Sequence, residues 1–312
     1  MSTGFDIVVA GSGIAGLTAA MTSARLGRKT LILTGDLLGG QLLSINRIDG
    51  FPGFPDGIAG YDLCPIAQEQ AQAAGAEMAS GELRRLAPCD EGWRIGTSAG
   101  EELTARAVIL ATGAGLKTLG IPGEDRLRGK GVSHCASCDA PLLRGRVVGV
   151  VGGGDSAAQE ALALAEAASR VVMLQRGESL TAQAAYRKRI LAKPKIELRC
   201  NTEIEEILGE TQVTGIRVRE RSSGAAANLE LAGVFVYIGL RPNSAAVEGV
   251  VPLDAGGGIL TDGAMRTRLR GVCAAGAVRS GWPGRAASAA GEGAAAAIAA
   301  DRYLGSNAWS NA

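Results

Sequence analysis

The sequence is short of several residue types, and each shortage narrows what the protein can be. Aromatic residues make up 4% of the chain, histidine occurs once, and six cysteines are scattered over 312 residues. Such scattered cysteines do not form a secreted disulfide scaffold, so we expect a cytoplasmic protein with one active cysteine pair. A structural zinc site needs four ligands, and there is no second CxxC or paired histidine. We therefore predict no metal site.

Neither sign of charge prevails, and no apolar segment has the character of a membrane span. Lys and Arg number 32 against 31 Asp and Glu, which gives a formal net charge of +1. This balance gives no reason to expect nucleic acid or an anionic membrane as a partner. The first residues carry no basic region followed by an apolar stretch, so we expect neither a signal peptide nor a membrane helix.

Glycine and small apolar residues, by contrast, are plentiful. The chain has 46 glycines, and hydrophobic residues make up 46% of it. This composition is typical of an α/β protein with many close backbone approaches, and it is not that of a disordered chain. The length is sufficient for two domains with buried cores.

A glycine turn lies near the start of the chain, between a predicted strand and a predicted helix. The strand covers residues 7–10, the turn is Gly11-Ser12-Gly13-Ile14-Ala15-Gly16, the helix covers 17–26, and another strand covers 30–33. In this GxGxxG pattern the first glycine makes the turn, the second admits a pyrophosphate and the third packs helix on strand. We predict a nucleotide site at the helix N-terminus.

A second unit repeats this plan, with a strand over 147–151, a helix over 158–168 and a strand over 171–174. Its turn is Gly152-Gly153-Gly154-Asp155-Ser156-Ala157. Two such units imply two nucleotide sites. Further predictions are a buried strand that ends in a turn over 108–113, a linker over 120–124, a strand over 234–238, a last short strand and turn over 271–276, and an alanine-rich helix over 286–303.

A CxxC segment followed by an acid lies between the two units, in His134-Cys135-Ala136-Ser137-Cys138-Asp139. Thiolates exchange disulfides and thiols do not, so such a pair needs a helix N-terminus or a proton acceptor nearby. Asp139 is a candidate acid and base. We predict that Cys135 and Cys138 are redox-active. His134 either assists a thiolate or is a solvated loop residue.

In this order, the segments resemble the low-molecular-weight thioredoxin reductase family of FAD-dependent pyridine nucleotide–disulfide oxidoreductases. The resemblance runs from residue 11 to residue 304. Besides the two glycine turns and the CxxC with its acid, the matching pieces are Gly39-Gly40-Gln41-Leu42, Phe51-Pro52-Gly53, Ala111-Thr112-Gly113, Gly120-Ile121-Pro122-Gly123-Glu124 and Gly239-Leu240-Arg241-Pro242-Asn243.

The resemblance implies an α/β fold of two Rossmann-like dinucleotide-binding domains, the second inserted into the first. An FAD domain would comprise residues 1–116 and 246–312, and a nicotinamide domain with the CxxC would comprise residues 117–245. It also implies a homodimer, and a rotation between the domains about turns near residues 113–117 and 241–244.

The resemblance also implies roles for individual residues. Cys138 would exchange electrons with the flavin, Cys135 would react with the disulfide of a thioredoxin-like protein or a small molecule, and Asp139 would move the proton. The residues implied for FAD are Gly11, Ser12, Gly13, Ala15, Gly16, Gly40, Gln41, Ala111, Thr112, Gly113, Gly276, Arg285 and Ala287. Those implied for NADPH or NADH are Gly152, Gly154, Asp155, Ser156, Ala157 and Arg176.

Both nucleotide sites depart from the family pattern. Gly177 and Thr181 stand where the family has arginines for the 2′-phosphate of NADPH, and only Arg176 remains. Convergent cations hold such a phosphate, so we expect a weakened NADPH preference, with NADH or no nicotinamide as alternatives. On the flavin side, Gly50, Ala277 and Ala286 replace polar residues, while the glycine turns for FAD remain.

Three hypotheses follow. The first is a flavin enzyme that moves electrons between NAD(P)H, FAD, the Cys135–Cys138 pair and an external disulfide. The second is a dithiol oxidase that forms a disulfide in a small molecule and passes electrons to oxygen, which the losses at Gly177 and Thr181 favour. The third is a non-catalytic nucleotide-binding descendant, which the losses at Gly50, Ala277 and Ala286 favour and the CxxC opposes.

Overall fold

The structure is a computed structural model that describes residues 4–307 and residue 309; for Ser137 and Cys138 it describes the backbone but not the side chain. The chain divides into two compact units. The first unit contains the residues up to Gly115 and those from Arg241 onward, and the second unit is Leu116–Leu240. Each unit is an α/β unit with its own parallel strands.

The helices are α1 Ile14–Arg25, α2 Gly60–Ala73, α3 Ala136–Asp139, α4 Asp155–Ala167, α5 Ala184–Leu191 and α6 Ala286–Ser306. The strands are β1 Gly4–Ala10, β2 Thr30–Leu33, β3 Glu77–Ala79, β4 Leu83–Cys89, β5 Gly92–Thr97, β6 Glu102–Leu110, β7 Ala114–Leu116, β8 Val132–Ser133, β9 Val147–Val151, β10 Arg170–Leu174, β11 Ile196–Arg199, β12 Thr202–Leu208, β13 Gly215–Glu220, β14 Ala226–Glu230, β15 Gly233–Val236, β16 Leu240–Pro242 and β17 Val272–Ala274.

The sheet of the first unit has the strand order β3-β2-β1-β6-β5-β4, and β17 also pairs with β6. The strands β3, β2, β1, β6 and β17 are parallel, whereas β4, β5 and β6 form an antiparallel meander. Both faces of β1 are buried, since Ile7 and Val9 belong to one hydrophobic cluster and Val8 and Ala10 to another. Burial on both faces explains its unbroken apolar sequence.

The two helices α1 and α6 pack closely because small residues line their contact. A Cβ atom at Gly293 of α6 would lie 2.1 Å from the carbonyl oxygen of Ala15 in α1. Ala296, Ala297 and Ala300 continue the same buried face of α6. The alanine-rich helix α6 therefore holds α1, the helix that follows the first glycine turn, in place.

The second unit contains a five-stranded parallel sheet in the order β11-β10-β9-β15-β8 and an antiparallel sheet β12-β13-β14. The CxxC follows the edge strand β8, and the second glycine turn follows the central strand β9. Both therefore lie at the carboxyl ends of parallel strands, where open α/β sheets bind their ligands.

The segment predicted as a linker, residues 120–124, is instead fixed within the second unit. The buried carboxylate of Glu124 accepts hydrogen bonds from the N–H groups of Leu119 at 2.9 Å and Gly120 at 2.7 Å. A Cβ atom at Gly123 would lie 2.0 Å from the carbonyl oxygen of Ile207 on β12. Glycine here permits close packing and not flexibility.

Most predicted elements are present, with different bounds. The strands over 30–33 and 147–151 match β2 and β9 at both ends. The helices α1 and α4 begin three residues earlier than predicted, at Ile14 and Asp155. The strand predicted over 234–238 ends at Val236. Within residues 4–307 and 309, no helix has the length and apolar character needed to cross a membrane.

Candidate active site

The CxxC segment leaves β8 and enters the short helix α3. Cys135 is half-buried and disulfide-bonded. Its backbone is fixed by Ser133, whose hydroxyl oxygen accepts a hydrogen bond from the Cys135 N–H at 3.0 Å and lies 3.3 Å from the Cys135 carbonyl oxygen. The backbone of Cys138 lies in α3, and its side chain is outside the described part of the structure. Cys135 is thus present in an oxidised form.

Four other cysteines are free: Cys64, Cys89, Cys200 and Cys273. Burial raises the pKa of Cys64 to about 11, and it also raises the pKa of the fully buried Cys273. Both therefore remain thiols near neutral pH, and a thiol is a poor nucleophile. They are packing residues of the first unit.

His134 and Asp139 flank the cysteines. The His134 Nδ1 atom lies 2.9 Å from the carbonyl oxygen of Val236, the last residue of β15. A carbonyl oxygen only accepts, so Nδ1 carries a proton and donates this hydrogen bond. The Asp139 N–H lies 3.3 Å from the Cys135 carbonyl oxygen and closes the turn of α3. His134 is therefore tethered to a strand, in contrast to a freely solvated loop residue.

The first glycine turn has room for a ligand at one of its three glycines only. Cβ atoms at Gly11 and Gly16 would lie 2.3 Å from the Ala111 carbonyl oxygen and 1.8 Å from the Gly11 carbonyl oxygen. A Cβ atom at Gly13 would meet no protein atom within 4 Å. Gly13 is also the N-cap of α1, and no side chain caps that helix end. Open space next to uncapped N–H groups fits a pyrophosphate.

One wall of this turn is the loop after β2. The buried hydroxyl of Ser12 donates a hydrogen bond to the Thr34 carbonyl oxygen at 2.6 Å and accepts one from the Gly39 N–H at 3.3 Å. A Cβ atom at Gly40 would lie 3.4 Å from the Cα of Gly13. The Ser12 hydroxyl is therefore used within the protein, and its contribution to a ligand is limited to its backbone. Gln41, the next residue of the loop, is exposed.

The strand β6 leads to another wall, formed by Ala111, Thr112 and Gly113. The Thr112 hydroxyl donates to the Asn243 carbonyl oxygen at 2.7 Å, and the Asn243 amide donates to the Thr112 carbonyl oxygen at 3.0 Å. The Asn243 N–H donates to the Gly113 carbonyl oxygen at 3.0 Å. These bonds join the segment at which the chain leaves the first unit to the segment at which it returns to that unit.

The end of β17 is supported by a buried ion pair that sequence analysis missed. The Glu292 carboxylate of α6 accepts a hydrogen bond from the Gly276 N–H at 2.8 Å. The Arg279 guanidinium binds the same carboxylate at 3.0 and 3.1 Å, and the two side chains are 13% and 11% exposed. Gly276 thus donates to the protein itself. Arg285, the N-cap of α6, is exposed, and Ala287 lies in the first turn of that helix.

We expect loss of this ion pair to destabilise the first unit strongly. Arg279→Ala leaves the buried Glu292 charge with one backbone donor, which costs about 3–5 kcal/mol of unfolding free energy. The control Arg84→Ala breaks the exposed pair with Glu82, which contributes about 0–1 kcal/mol. Urea unfolding with excess FAD measures both. Equal and small losses for the two variants would show that the buried pair is not structural.

These features together fit FAD. Gly11, Gly13, Gly16 and Gly40 leave a cradle open at Gly13, and the uncapped end of α1 faces it. Alanine at 277 and 286 and glycine at 50 supply no polar side chain to the ribityl chain. The fit therefore rests on backbone groups at the pyrophosphate.

The second glycine turn has the same construction. A Cβ atom at Gly152 would lie 2.2 Å from the Tyr237 carbonyl oxygen and 3.2 Å from the Cβ of the fully buried Ala157. At Gly154, the uncapped N-cap of α4, the nearest atom would be the Thr181 Oγ1 at 3.9 Å. Ser156 is exposed, whereas Asp155 accepts hydrogen bonds from the Gln183 backbone at 2.7 Å and side chain at 2.8 Å. This turn also fits a pyrophosphate.

A neutral side chain follows β10, beside this turn. A Cβ atom at Gly153 would lie 2.5 Å from the side-chain amide of Gln175. The Gln175 amide nitrogen donates a hydrogen bond to the Ser179 carbonyl oxygen at 3.2 Å. Arg176 is exposed and is the only cation of residues 175–181. Its carbonyl oxygen accepts a hydrogen bond from Arg221 at 3.2 Å. Two cations, Arg176 and Arg221, thus lie after β10, and Arg176 is the one that belongs to the segment beside the glycine turn.

Sequence analysis also missed two half-buried side chains near the CxxC turn. Glu160 of α4 and Tyr237, the residue after β15, both lie next to the backbone N–H of Ala136. These residues are 77 positions apart in the sequence, 237 against 160, so no local motif connects them. Among the residues that the structure describes, no group of three or more His, Cys, Asp or Glu side chains is arranged to hold a metal ion.

Comparison with known proteins agrees with this geometry. The sequence profile of the pyridine nucleotide-disulphide oxidoreductases matches residues 5–293. The thioredoxin reductase of Treponema pallidum is 38% identical, with 97% of this chain and 98% of the relative covered. That of Mycolicibacterium smegmatis is 40% identical, with 96% of each chain covered. The crystal structure of Lactococcus lactis thioredoxin reductase has a TM-score of 0.93 at 34% identity, with 96% and 99% covered. The predicted α/β fold of two Rossmann-like domains is confirmed.

Proposed function

The chain belongs to the pyridine nucleotide-disulphide oxidoreductase family and is a flavin-dependent disulfide oxidoreductase; we propose that it reduces the disulfide of a thioredoxin-like protein with electrons from a reduced pyridine nucleotide. The observation that carries this proposal is the disulfide at Cys135, placed after the edge strand of a unit that has its own open glycine turn. The third hypothesis, a non-catalytic descendant, does not account for a disulfide at that position.

We further propose how the chain divides this work. Residues 1–116 and 246–312 bind FAD through the first glycine turn, and residues 117–245 bind the nicotinamide nucleotide and carry the dithiol. When bound, FAD supplies hydride acceptance from the nicotinamide and delivery of the electron pair to the disulfide. Cys138 is the disulfide partner of Cys135 and receives that electron pair, and Cys135 attacks the external disulfide. Asp139 moves the proton.

The overall reaction balances with one nucleotide for each disulfide. NAD(P)H gives a hydride, the medium gives one proton, and the external disulfide becomes two thiols while NAD(P)⁺ is released. Within the protein, the Cys135 thiolate attacks one substrate sulfur and displaces the other. The second cysteine then attacks the mixed disulfide, so the protein disulfide forms again and awaits the next electron pair.

A reducing compartment suits this chemistry, and we propose a cytoplasmic location. Free thiols persist in a reducing compartment, and Cys64, Cys89, Cys200 and Cys273 are all free. The implied homodimer is part of the same proposal, and light scattering of the purified protein tests it.

The test of the proposal uses purified holoprotein, oxidised bacterial thioredoxin, and NADPH or NADH. We expect nucleotide oxidation that depends on thioredoxin and yields one thioredoxin dithiol for each nucleotide. Thiol titration and absorbance at 340 nm measure the two quantities. Nucleotide oxidation that proceeds without thioredoxin reduction would overturn the proposed substrate.

The nucleotide preference is expected to be weak. A 2′-phosphate needs convergent charged donors, whereas the neutral Gln175 amide can bond a ribose hydroxyl. Arg176 is the only cation of residues 175–181. We therefore predict that adenosine 2′,5′-bisphosphate binds the holoprotein at most about a hundredfold more tightly than AMP, which lacks only the 2′-phosphate, because one cation contributes about 1.5–3 kcal/mol. Isothermal titration calorimetry measures both constants.

The double variant Gly177→Arg with Thr181→Arg tests the cause of this weak preference. The Thr181 side chain already faces the turn at Gly154, so an arginine there can reach a phosphate bound at it. We expect the bisphosphate to bind at least about tenfold more tightly than it binds the wild type, and AMP to bind as before. A wild-type preference above about a hundredfold would show that other cations, such as Arg187 or Lys188 of α5, already hold the phosphate.

A dithiol oxidase is the second candidate, and the same shortage of cations favours it. Such an enzyme would draw electrons from a small dithiol and pass them to oxygen, without a nicotinamide. Adding dithiothreitol to the aerobic holoprotein and measuring peroxide distinguishes the two. Peroxide at a rate above that of thioredoxin reduction would favour the oxidase.

A further inference from the structure

The buried ion pair of Arg279 and Glu292 belongs to a row of hydrogen bonds that ends at the first residue after β17 and its turn. The Arg279 Nη1 donates to the Thr261 hydroxyl oxygen at 2.5 Å, and its Nε and Nη2 donate to the two carboxylate oxygens of Glu292. Two parallel bonds of this kind fix the geometry of both side chains. One of the carboxylate oxygens also accepts from the Gly276 N–H at 2.8 Å. The position of Gly276 is thus set by a side chain of α6.

Gly276 in turn lies against the first turn of α1. A Cβ atom at Gly276 would be 2.8 Å from the Cβ of Ala15. The φ of +77° at Gly276 is a conformation that glycine adopts without strain. Gly293, the residue after Glu292, contacts the same alanine from α6, because a Cβ atom there would be 2.1 Å from the Ala15 carbonyl oxygen. Ala15 is therefore held by two glycines whose positions Glu292 links.

This contact adjoins the space assigned to the FAD pyrophosphate. Ala15 is the second residue of α1, and the cradle is open at Gly13, the N-cap of the same helix. The N–H groups of that first turn are the donors available to a phosphate. Alanine at 277 and 286 and glycine at 50 add no polar side chain, so FAD affinity depends on the placement of this backbone. A site whose groups are already in place binds more tightly, because less ordering accompanies binding.

We propose that Arg279 and Glu292 are positioning residues for FAD, which hold Gly276 and, through it, the first turn of α1 in the conformation that binds the pyrophosphate. The two side chains act through Gly276 and Ala15 and not by contact with the cofactor. This role differs from a purely structural one, because a loss of stability alone leaves ligand affinity unchanged as long as the folded state predominates. The inference rests on the proposed placement of FAD at the first glycine turn.

The test compares Glu292→Gln with Asp301→Asn, a matched control on the same helix. Asp301 lies further along α6 and pairs with Arg28, which follows α1, at 2.7 Å. Each replacement removes one charge from a carboxylate paired with an arginine, but only Glu292→Gln alters a group bonded to Gly276. The full-length holoproteins are diluted in series, and flavin fluorescence of the ultrafiltrate gives the FAD dissociation constant.

We expect the FAD dissociation constant to be at least about tenfold above wild type in Glu292→Gln, and within about twofold of wild type in Asp301→Asn. Urea unfolding of the same samples measures the loss of stability in each variant. A second control is the wild type in enough urea to match the stability of Glu292→Gln, and it should retain FAD with an affinity within about twofold.

An unchanged FAD affinity in Glu292→Gln would overturn the proposal, as would an equal loss of affinity in either control. If Glu292→Gln does not fold, Arg279→Lys decides, because a lysine keeps the charge but not the two parallel bonds. A dissociation constant at least about threefold above that of Asp301→Asn supports the proposal, and an equal one overturns it. FAD release involves no thioredoxin. If Gly13→Ala lowers FAD affinity and Glu292→Gln does not, the placement of FAD stands and the positioning role fails.

Discussion

In the Cys135→Ser protein, we expect reduction of external disulfides to fall by about 10³-fold or more, while the fold and the bound flavin remain. A serine hydroxyl neither forms a disulfide nor ionises near neutral pH, so the chain loses the group that attacks the substrate. Removal of one residue from a set of catalytic residues commonly lowers the reaction rate by a factor of this size. Reduction of oxidised thioredoxin, followed by thiol titration, measures the effect.

The matched control is Cys200→Ser, which alters a free, half-buried cysteine of the same unit. It should retain activity within about twofold, since Cys200 is isolated from the CxxC segment. The flavin absorbance of both variants shows whether the first unit is intact. A Cys135→Ser protein with a tenth of the wild-type rate would contradict the role given to this cysteine.

Alanine substitutions at two glycines of the first glycine turn should have different effects. We expect Gly16→Ala to lower the stability of the fold and Gly13→Ala to weaken FAD binding. Gly16→Ala places a methyl group 1.8 Å from the Gly11 carbonyl oxygen, inside the first glycine turn. The backbone must shift, and we expect a loss of about 3 kcal/mol or more of unfolding free energy, at the upper end of overpacking effects. Gly13→Ala meets no protein atom within 4 Å and has a φ of −66° that any residue adopts. The Gly13→Ala protein should therefore fold normally.

The methyl group of Gly13→Ala instead occupies the space assigned to the FAD pyrophosphate. We expect FAD affinity to fall at least about tenfold, which corresponds to a loss of 1.4 kcal/mol in binding free energy. Urea unfolding of the apoprotein and calorimetric titration with FAD separate the two effects. Unchanged FAD affinity in Gly13→Ala would show that the cofactor does not approach this turn.

The strand–turn–helix units could be predicted from sequence because their signal is local. The bounds of β2 and β9 match because short apolar runs between glycines leave one arrangement for a buried parallel strand. The helices α1 and α4 start earlier than predicted because the last residues of each turn form the first helical turn. That shift places the helix N-terminus at the position of the phosphates.

Other elements carry a weaker signal. The helix α2 contains Pro65, which normally argues against a helix interior, but this proline lies in the second turn, and Leu63 and Ala71 bury one face of the helix. Residues 120–124 read as a linker because Gly and Pro are common in turns. The deciding contacts, those of Glu124 and of Gly123 with Ile207, become visible only in the folded chain.

Within the candidate site, the sequence identified the groups that lie together in one motif and missed those that meet across the fold. Cys135 and Asp139 belong to one segment, whereas Glu160 of α4 and Tyr237, the residue after β15, lie near that segment from distant parts of the sequence. Arg279 and Glu292 are separated by the turn before α6. Such pairs have no signal in residue type or spacing.

Anaerobic reductive titration of the purified holoprotein tests the central claim most directly. A disulfide accepts two electrons, so the wild-type chain should take up two electron pairs, one that bleaches the flavin and one that produces two additional thiols. The Cys135→Ser chain should take up one pair and bleach fully. If both proteins accept the same single pair, the disulfide at Cys135 does not exchange electrons with the flavin and the account is wrong.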